Sequence, residues 1–146
     1  MINSIQEIFE RDLKKLSDEI HQYKDEAQIW KTVDGISNSA GNLCLHICGN
    51  LRHFIGATLG SNGYIRNREA EFALKNIPKE KLIAEIEVTM QSVKDTLTAL
   101  DPGKMKKNYP LEVLGKITTT EYFLIHLIAH LDYHLGQINY HRRLVK

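Results

Sequence analysis

Apolar residues recur at three- and four-residue steps along four stretches of the 146-residue chain, and polar runs separate them. That period turns one face of an α-helix toward a core. The first stretch predicts a helix from about Ile2 to Lys31. It turns Ile5, Ile8, Phe9, Leu13, Leu16, Ile20, Tyr23, Ala27 and Trp30 inward and leaves Lys14, Lys15, Asp18, Glu19 and Lys24 in water. Gly35 stops it, and Ser37 is the expected N-cap of the next helix. The second, from about Asn38 to Leu59, directs Leu43, Ile47, Leu51, Phe54, Ile55 and Thr58 inward, with a polar seam of His46, Asn50 and His53 beside them. The third, from about Pro78 to Leu100, buries Leu82, Ile86, Met90, Val93, Leu97 and Leu100.

The fourth stretch opens on Thr118 with Glu121 three residues on, the spacing of a capping box. Its first half is apolar nearly all round, as expected of the most central helix. Arg142, Arg143 and Lys146 close it with charges suited to the negative end of the helix dipole. Pro78, Pro102 and Pro110 all fall in breaks between periodic stretches. No strand pattern or internal repeat emerges. The expected fold is all-α, a four-helix bundle in a single domain over residues 1–146, with long connections between helices two and three and between helices three and four. Gly41, Gly49 and Gly56 interrupt helix two at about 1 kcal/mol each relative to alanine. Close packing explains them first, and room for a ligand second.

Lys and Arg number 19 against 18 Asp and Glu, a net charge of +1, which argues against nucleic acid or an anionic membrane as a partner. No apolar run is long enough for a membrane span, and "MINSIQEIFERDLKK" is charged too early for a signal peptide, so the cytoplasm is the expected compartment. Lys104, Lys106 and Lys107 read as a solvated loop. Cys44 and Cys48, four apart, form neither a disulfide framework nor a zinc knuckle and read as small buried side chains. Each lies about 200° around the helix from His46, so the three cannot face one ion.

Four of the seven histidines fall after residue 125, in the most hydrophobic part of the chain. A buried imidazole must find hydrogen-bond partners or coordinate something. His126, His130 and His134 drift only about 40° per step along one helical stripe. Three readings compete: core histidines with partners, a polar surface stripe, and a metal site. An i,i+4 pair sets two ring nitrogens about one ion, and His46, on the inward flank of helix two, supplies a third. Three neutral imidazoles leave a position open for water or substrate, as in a catalytic zinc site. Asp132 lies about 200° around from His130 and does not reach the same point. Asn50, His53, Gln137 and His141 extend the seams as candidates to orient ligands or move protons, and Tyr64, Arg66 and Arg68 as candidates for a pocket mouth.

The stretches "LCLHICGNLRHFIGATLG" and "HLIAHLDYHLGQINYHRR", joined by "GYIRNREAEF", closely resemble the DinB-like, or YfiT-like, superfamily of metal-dependent four-helix proteins over almost the whole chain. The resemblance matches the superfamily's metal ligands to His46, His130 and His134, the last two ahead of the Gly136-Gln137 pair. It implies a divalent ion, zinc first, with nickel, iron or manganese as alternatives. It also implies a small-molecule substrate, since characterised relatives include transferases of low-molecular-weight thiols such as bacillithiol or mycothiol and a maleylpyruvate isomerase type, and it implies a homodimer. The activity it suggests is that of an S-transferase or hydrolase. The other class is a non-catalytic, metal-binding or stress-associated helical scaffold.

Overall fold

In a computed structural model, residues 1–145 are described; Lys146, read above as a closing charge, lies outside them. The elements are α1 (Ile2–His21), α2 (Glu26–Ile29), α3 (Ala40–Leu51) continued by a π-helix (Arg52–Ala57), α4 (Arg68–Ala73), α5 (Lys79–Ala99), a 3₁₀ turn (Pro102–Lys106) and α6 (Thr120–Leu144). Among the described residues no strand forms; two isolated antiparallel bridges, Asn108 with Thr119 and Val113 with Lys116, pin the last connection. No helix among them is long and apolar enough to cross a membrane.

α1 and α3 each pack against both α5 and α6. One core joins them, built from Phe9, Leu13, Leu16 and Ile20 of α1, Cys44, Ile47 and Leu51 of α3, Leu82 and Ile86 of α5, and Leu124, Leu131 and Ile138 of α6. Cys44 and Cys48 are free and buried, as their small apolar character requires.

The first predicted helix is two. α1 ends at His21, and the Asp25 side chain accepts a 3.0 Å bond from the Ala27 amide to start a new turn. Local bonding of this kind competes with helix continuation. Lys79 of α5 satisfies the carbonyls released at the break, donating to Tyr23 at 2.6 Å and His21 at 3.3 Å. Tyr23, Ile29 and Trp30 still reach the core from beyond the bend, whereas Ala27 is exposed.

The N-cap of α3 is Ser39, not Ser37: its hydroxyl accepts from the Asn42 amide at 3.2 Å. Every α3 residue except Leu45 is buried, so this helix, rather than the fourth predicted one, is the most enclosed. Its glycines answer to packing. A Cβ on Gly41 would meet the Trp30 ring at 2.6 Å, and one on Gly49 would overlap the Glu71 carboxylate. Helix two then widens into the π-helix, whose Thr58 amide bonds His53 five residues back at 3.0 Å. Side chains hold this wide turn: Thr58 Oγ1 donates to the His53 carbonyl at 2.9 Å and Tyr109 Oη to that of Phe54 at 2.6 Å.

α5 follows its predicted limits within a residue, with Pro78 at the N-cap position. α6 is capped by Thr119, one residue later than predicted, through a 3.2 Å bond from the Tyr122 amide. Thr118 is drawn into the preceding connection, where its carbonyl accepts from the Tyr109 amide at 2.8 Å. Glu121 closes no capping box and bonds Lys106 at 2.7 Å instead.

Candidate metal centre

α3 brings His46 to the face it turns toward α6, where His130 and His134 stand one turn apart. Among the described residues these three form the one group of His, Cys, Asp or Glu side chains able to hold a metal ion, with ligand atoms all within 4.8 Å of one another. His130 Nε2 lies 3.1 Å from His46 Nε2 and 3.2 Å from His134 Nε2. His46 is buried and the other two half-buried. The cysteines and Asp132 are not part of the group.

Partners on the far side of two rings fix their tautomers. His46 Nδ1 lies 3.0 Å from Glu71 Oε1. Burial pushes the Glu71 carboxyl up, but bonds from His46 and Arg66 outweigh it and hold the group below its ordinary range, ionised and able only to accept. His46 therefore carries its proton on Nδ1. Arg66 grips the same carboxylate with two 2.9 Å bonds, and its 3.3 Å approach to His46 Nδ1 makes no bond while that nitrogen holds a proton. His134 Nδ1 donates to Gln137 Oε1 at 2.7 Å.

In the neutral form that a metal ligand requires, both rings turn bare Nε2 lone pairs toward His130. His130 Nε2 carries at most one proton, so at least one of the two short contacts sets lone pair against lone pair. A cation among the three nitrogens removes that repulsion. Burial, then the neighbouring His134 and His46, lowers His130 to about 4, and burial lowers His134 as well, so both are neutral donors near pH 7. At zinc–nitrogen bonds of about 2.0–2.1 Å, two tetrahedral ligand nitrogens stand about 3.3 Å apart, close to both His130 spacings.

Gly49 makes the second layer possible. It stands three residues after His46, and its missing side chain is the space that Glu71 occupies. Glu71 and its role were missed in the sequence reading. The mid-helix glycine was its only signal.

The other histidines do different work. His141 is buried, with Nδ1 2.6 Å from Tyr23 Oη and Nε2 2.7 Å from the Lys31 carbonyl, a core ring with both nitrogens satisfied. His126 stacks on Phe123 at 5.7 Å, and His53 meets Phe54 edge-on at 4.7 Å. Asp132 has its carboxyl raised to about 6 by burial and by its bond to Asp12. Tyr64 lies under the Arg52 guanidinium, 4.1 Å from ring centroid to Cζ, and Arg68 covers Phe72. Asn50 Oδ1 is buried and has no hydrogen-bond partner among the described residues. A cavity of about 430 Å³ borders the cluster at His134 and Gln137, with Leu43, Tyr133, Tyr140 and Leu144 along its walls.

A family model described as protein of unknown function (DUF1572) matches residues 1–146. No curated protein matches the chain.

Proposed function

The chain belongs to the DUF1572 family, a DinB-like family, and from that premise we propose that it is a metal-dependent enzyme with one divalent ion held by His46, His130 and His134. The observation that carries this reading is the convergence of three Nε2 atoms at 3.1 and 3.2 Å, two of them on rings whose Nδ1 is taken up by Glu71 and Gln137. Zinc is the first choice, because three neutral imidazoles with a vacant position suit it; nickel, iron and manganese are the alternatives. The four long helices are read as a four-helix bundle, which builds such sites from inward side chains of facing helices.

An ion at this point would supply Lewis acidity and lower the pKa of a water or a low-molecular-weight thiol presented to it. The chain's own residues hold and orient. Glu71, braced by Arg66, keeps the proton of His46 on Nδ1, and Gln137 does the same for His134. Outer partners of this kind set ring orientation and raise ligand basicity. The cavity beside His134, lined by apolar and polar side chains together, gives a small substrate a place next to the site. The reaction class is S-transfer or hydrolysis, placed in the cytoplasm, where two free cysteines remain reduced.

The test loads the protein with each of the four ions and measures conjugation of small thiols to monobromobimane and hydrolysis of p-nitrophenyl esters. Turnover that depends on the ion and disappears in His130→Ala supports an enzyme. Stoichiometric ion with a large gain in melting temperature and no turnover replaces it with a scaffold.

A further inference from the structure

Glu71 and Phe72 are carried to His46 by α4, a helix of six residues. Helices that short are marginal on their own, so ties to the rest of the chain must hold this one in place. Asn67 caps its N-terminus, accepting a 3.1 Å bond from the Ala70 amide. Its C-terminal end is held from outside. Asn42 of α3, fully buried, donates from Nδ2 to the Glu71 carbonyl at 2.9 Å and to the Leu74 carbonyl at 2.8 Å, serving groups that a helix end leaves without partners. Its Oδ1 accepts from Ser39 Oγ at 2.7 Å and from Lys75 Nζ at 2.6 Å. Both protons and both lone pairs of this amide are used, and a flipped amide would set its nitrogen against the Lys75 ammonium and its oxygen against two carbonyls. The orientation is therefore fixed.

We infer that Asn42 is a positioning residue of the metal centre, docking α4 on α3 so that the Glu71 carboxylate meets His46 Nδ1. Asn42 stands four residues before His46, so the two side chains leave successive turns of one helix face. The first holds the backbone of Glu71 and the second meets its carboxylate. The His46–Glu71 contact is 3.0 Å long. A bond of this kind is lost by about 3.6 Å, so a shift of roughly half an ångström in α4 is enough to break it.

Arg66 does not supply this tie. It precedes Glu71 by five residues in the same segment, and its two 2.9 Å bonds brace the carboxylate without fastening α4 to α3. Phe72 follows Glu71 in α4 and packs its ring 4.9 Å from that of His46, so a displaced α4 withdraws the carboxylate and the aromatic cover together. The consequence for an ion rests on the proposed function. The tautomer of His46 does not, because it is read in metal-free protein, so the two readings fail separately.

Asn42→Asp tests the inference on the whole chain. One of its oxygens still accepts from Ser39 and Lys75, and a negative charge in the first turn of α3 suits the helix dipole, while the other oxygen has no proton to give the two carbonyls. Asn42→Ala stands beside it and removes the amide without adding a charge. Each is made in the wild type and in Glu71→Gln. Zinc affinity is measured by chelator competition, the tautomer of His46 by nitrogen-15 shifts of metal-free protein at pH 8, and stability by urea unfolding. The expected result in the wild-type background is a loss of zinc affinity of about tenfold or more, with His46 no longer held to the Nδ1–H tautomer. In Glu71→Gln the further loss of affinity stays below about threefold, because the group through which Asn42 acts is already gone, whereas the cost in stability persists. Folded variants that keep the zinc affinity and the His46 tautomer of the wild type, or that lose as much affinity in Glu71→Gln as in the wild type, overturn the inference.

Discussion

Glu71 reaches His46 from a segment 25 residues later in the chain, and the contact decides which nitrogen of that ring is free. The carboxylate is ionised because Arg66 and His46 outweigh the burial that opposes it. Glu71→Gln keeps the size and removes the charge. The expected loss is about 10–100-fold in metal affinity, measured by competition against a chromophoric chelator, with the circular dichroism spectrum unchanged. An unaltered affinity would mean that Glu71 is only a packing group. The group was legible from the sequence because i,i+4 spacing is a property of one helix and the flank position of His46 a property of another, while the resemblance chose His130 and His134 from a stripe that also holds His126. Glu71 was not, because no periodicity within α3 reports on a residue that folds over it from a different element. Gln137 stood midway: its place in the seam was visible, but its bond to His134 needed coordinates.

Elements followed the apolar period where packing alone decided them and departed from it where side chains bonded the backbone. α5 lies within a residue of its predicted limits. Helix one broke because Asp25 caps a fresh turn and Lys79 takes up the carbonyls left by the old one. Both N-cap shifts, to Ser39 and Thr119, replaced one hydroxyl residue by a close neighbour in a run of them, where composition cannot choose. The π-helix was invisible because its carbonyl partners include Tyr109, more than fifty residues away. Gly49→Ala tests how tightly α3 is held to the segment over it. The added methyl overlaps the Glu71 carboxylate, so the change is expected to cost about 1–3 kcal/mol in urea unfolding and to weaken metal binding with it. A neutral effect on both would show that the carboxylate has another place to go.

Over the whole molecule, the apolar pattern distinguished core from surface well for α1 and α5 and poorly for α6. Tyr122 and Ile125 are hydrophobic enough to read as core, yet both are half exposed. Sequence periodicity reports how apolar a helix is, and not what covers it. α3, whose pattern already read as largely buried despite its glycines and polar seam, is the most enclosed helix. The placement of Tyr109 shows how the long connections serve the fold. Its hydroxyl, pushed up to about 12 by burial, stays protonated and closes the π-turn at Phe54, so Tyr109→Phe is expected to cost about 1–3 kcal/mol by leaving that carbonyl unpaired. Thermal or urea unfolding checks it, and a loss below about 0.5 kcal/mol would show that the turn does not depend on that bond.

The convergence of His46, His130 and His134 is tested most directly by elemental analysis of the purified, untagged chain after loading and desalting, wild type beside His46→Ala and His130→Ala. The account predicts one transition-metal ion per wild-type chain and at most a small residue in either variant. A wild type that retains no ion under any loading condition, or variants that retain as much as the wild type, would contradict it.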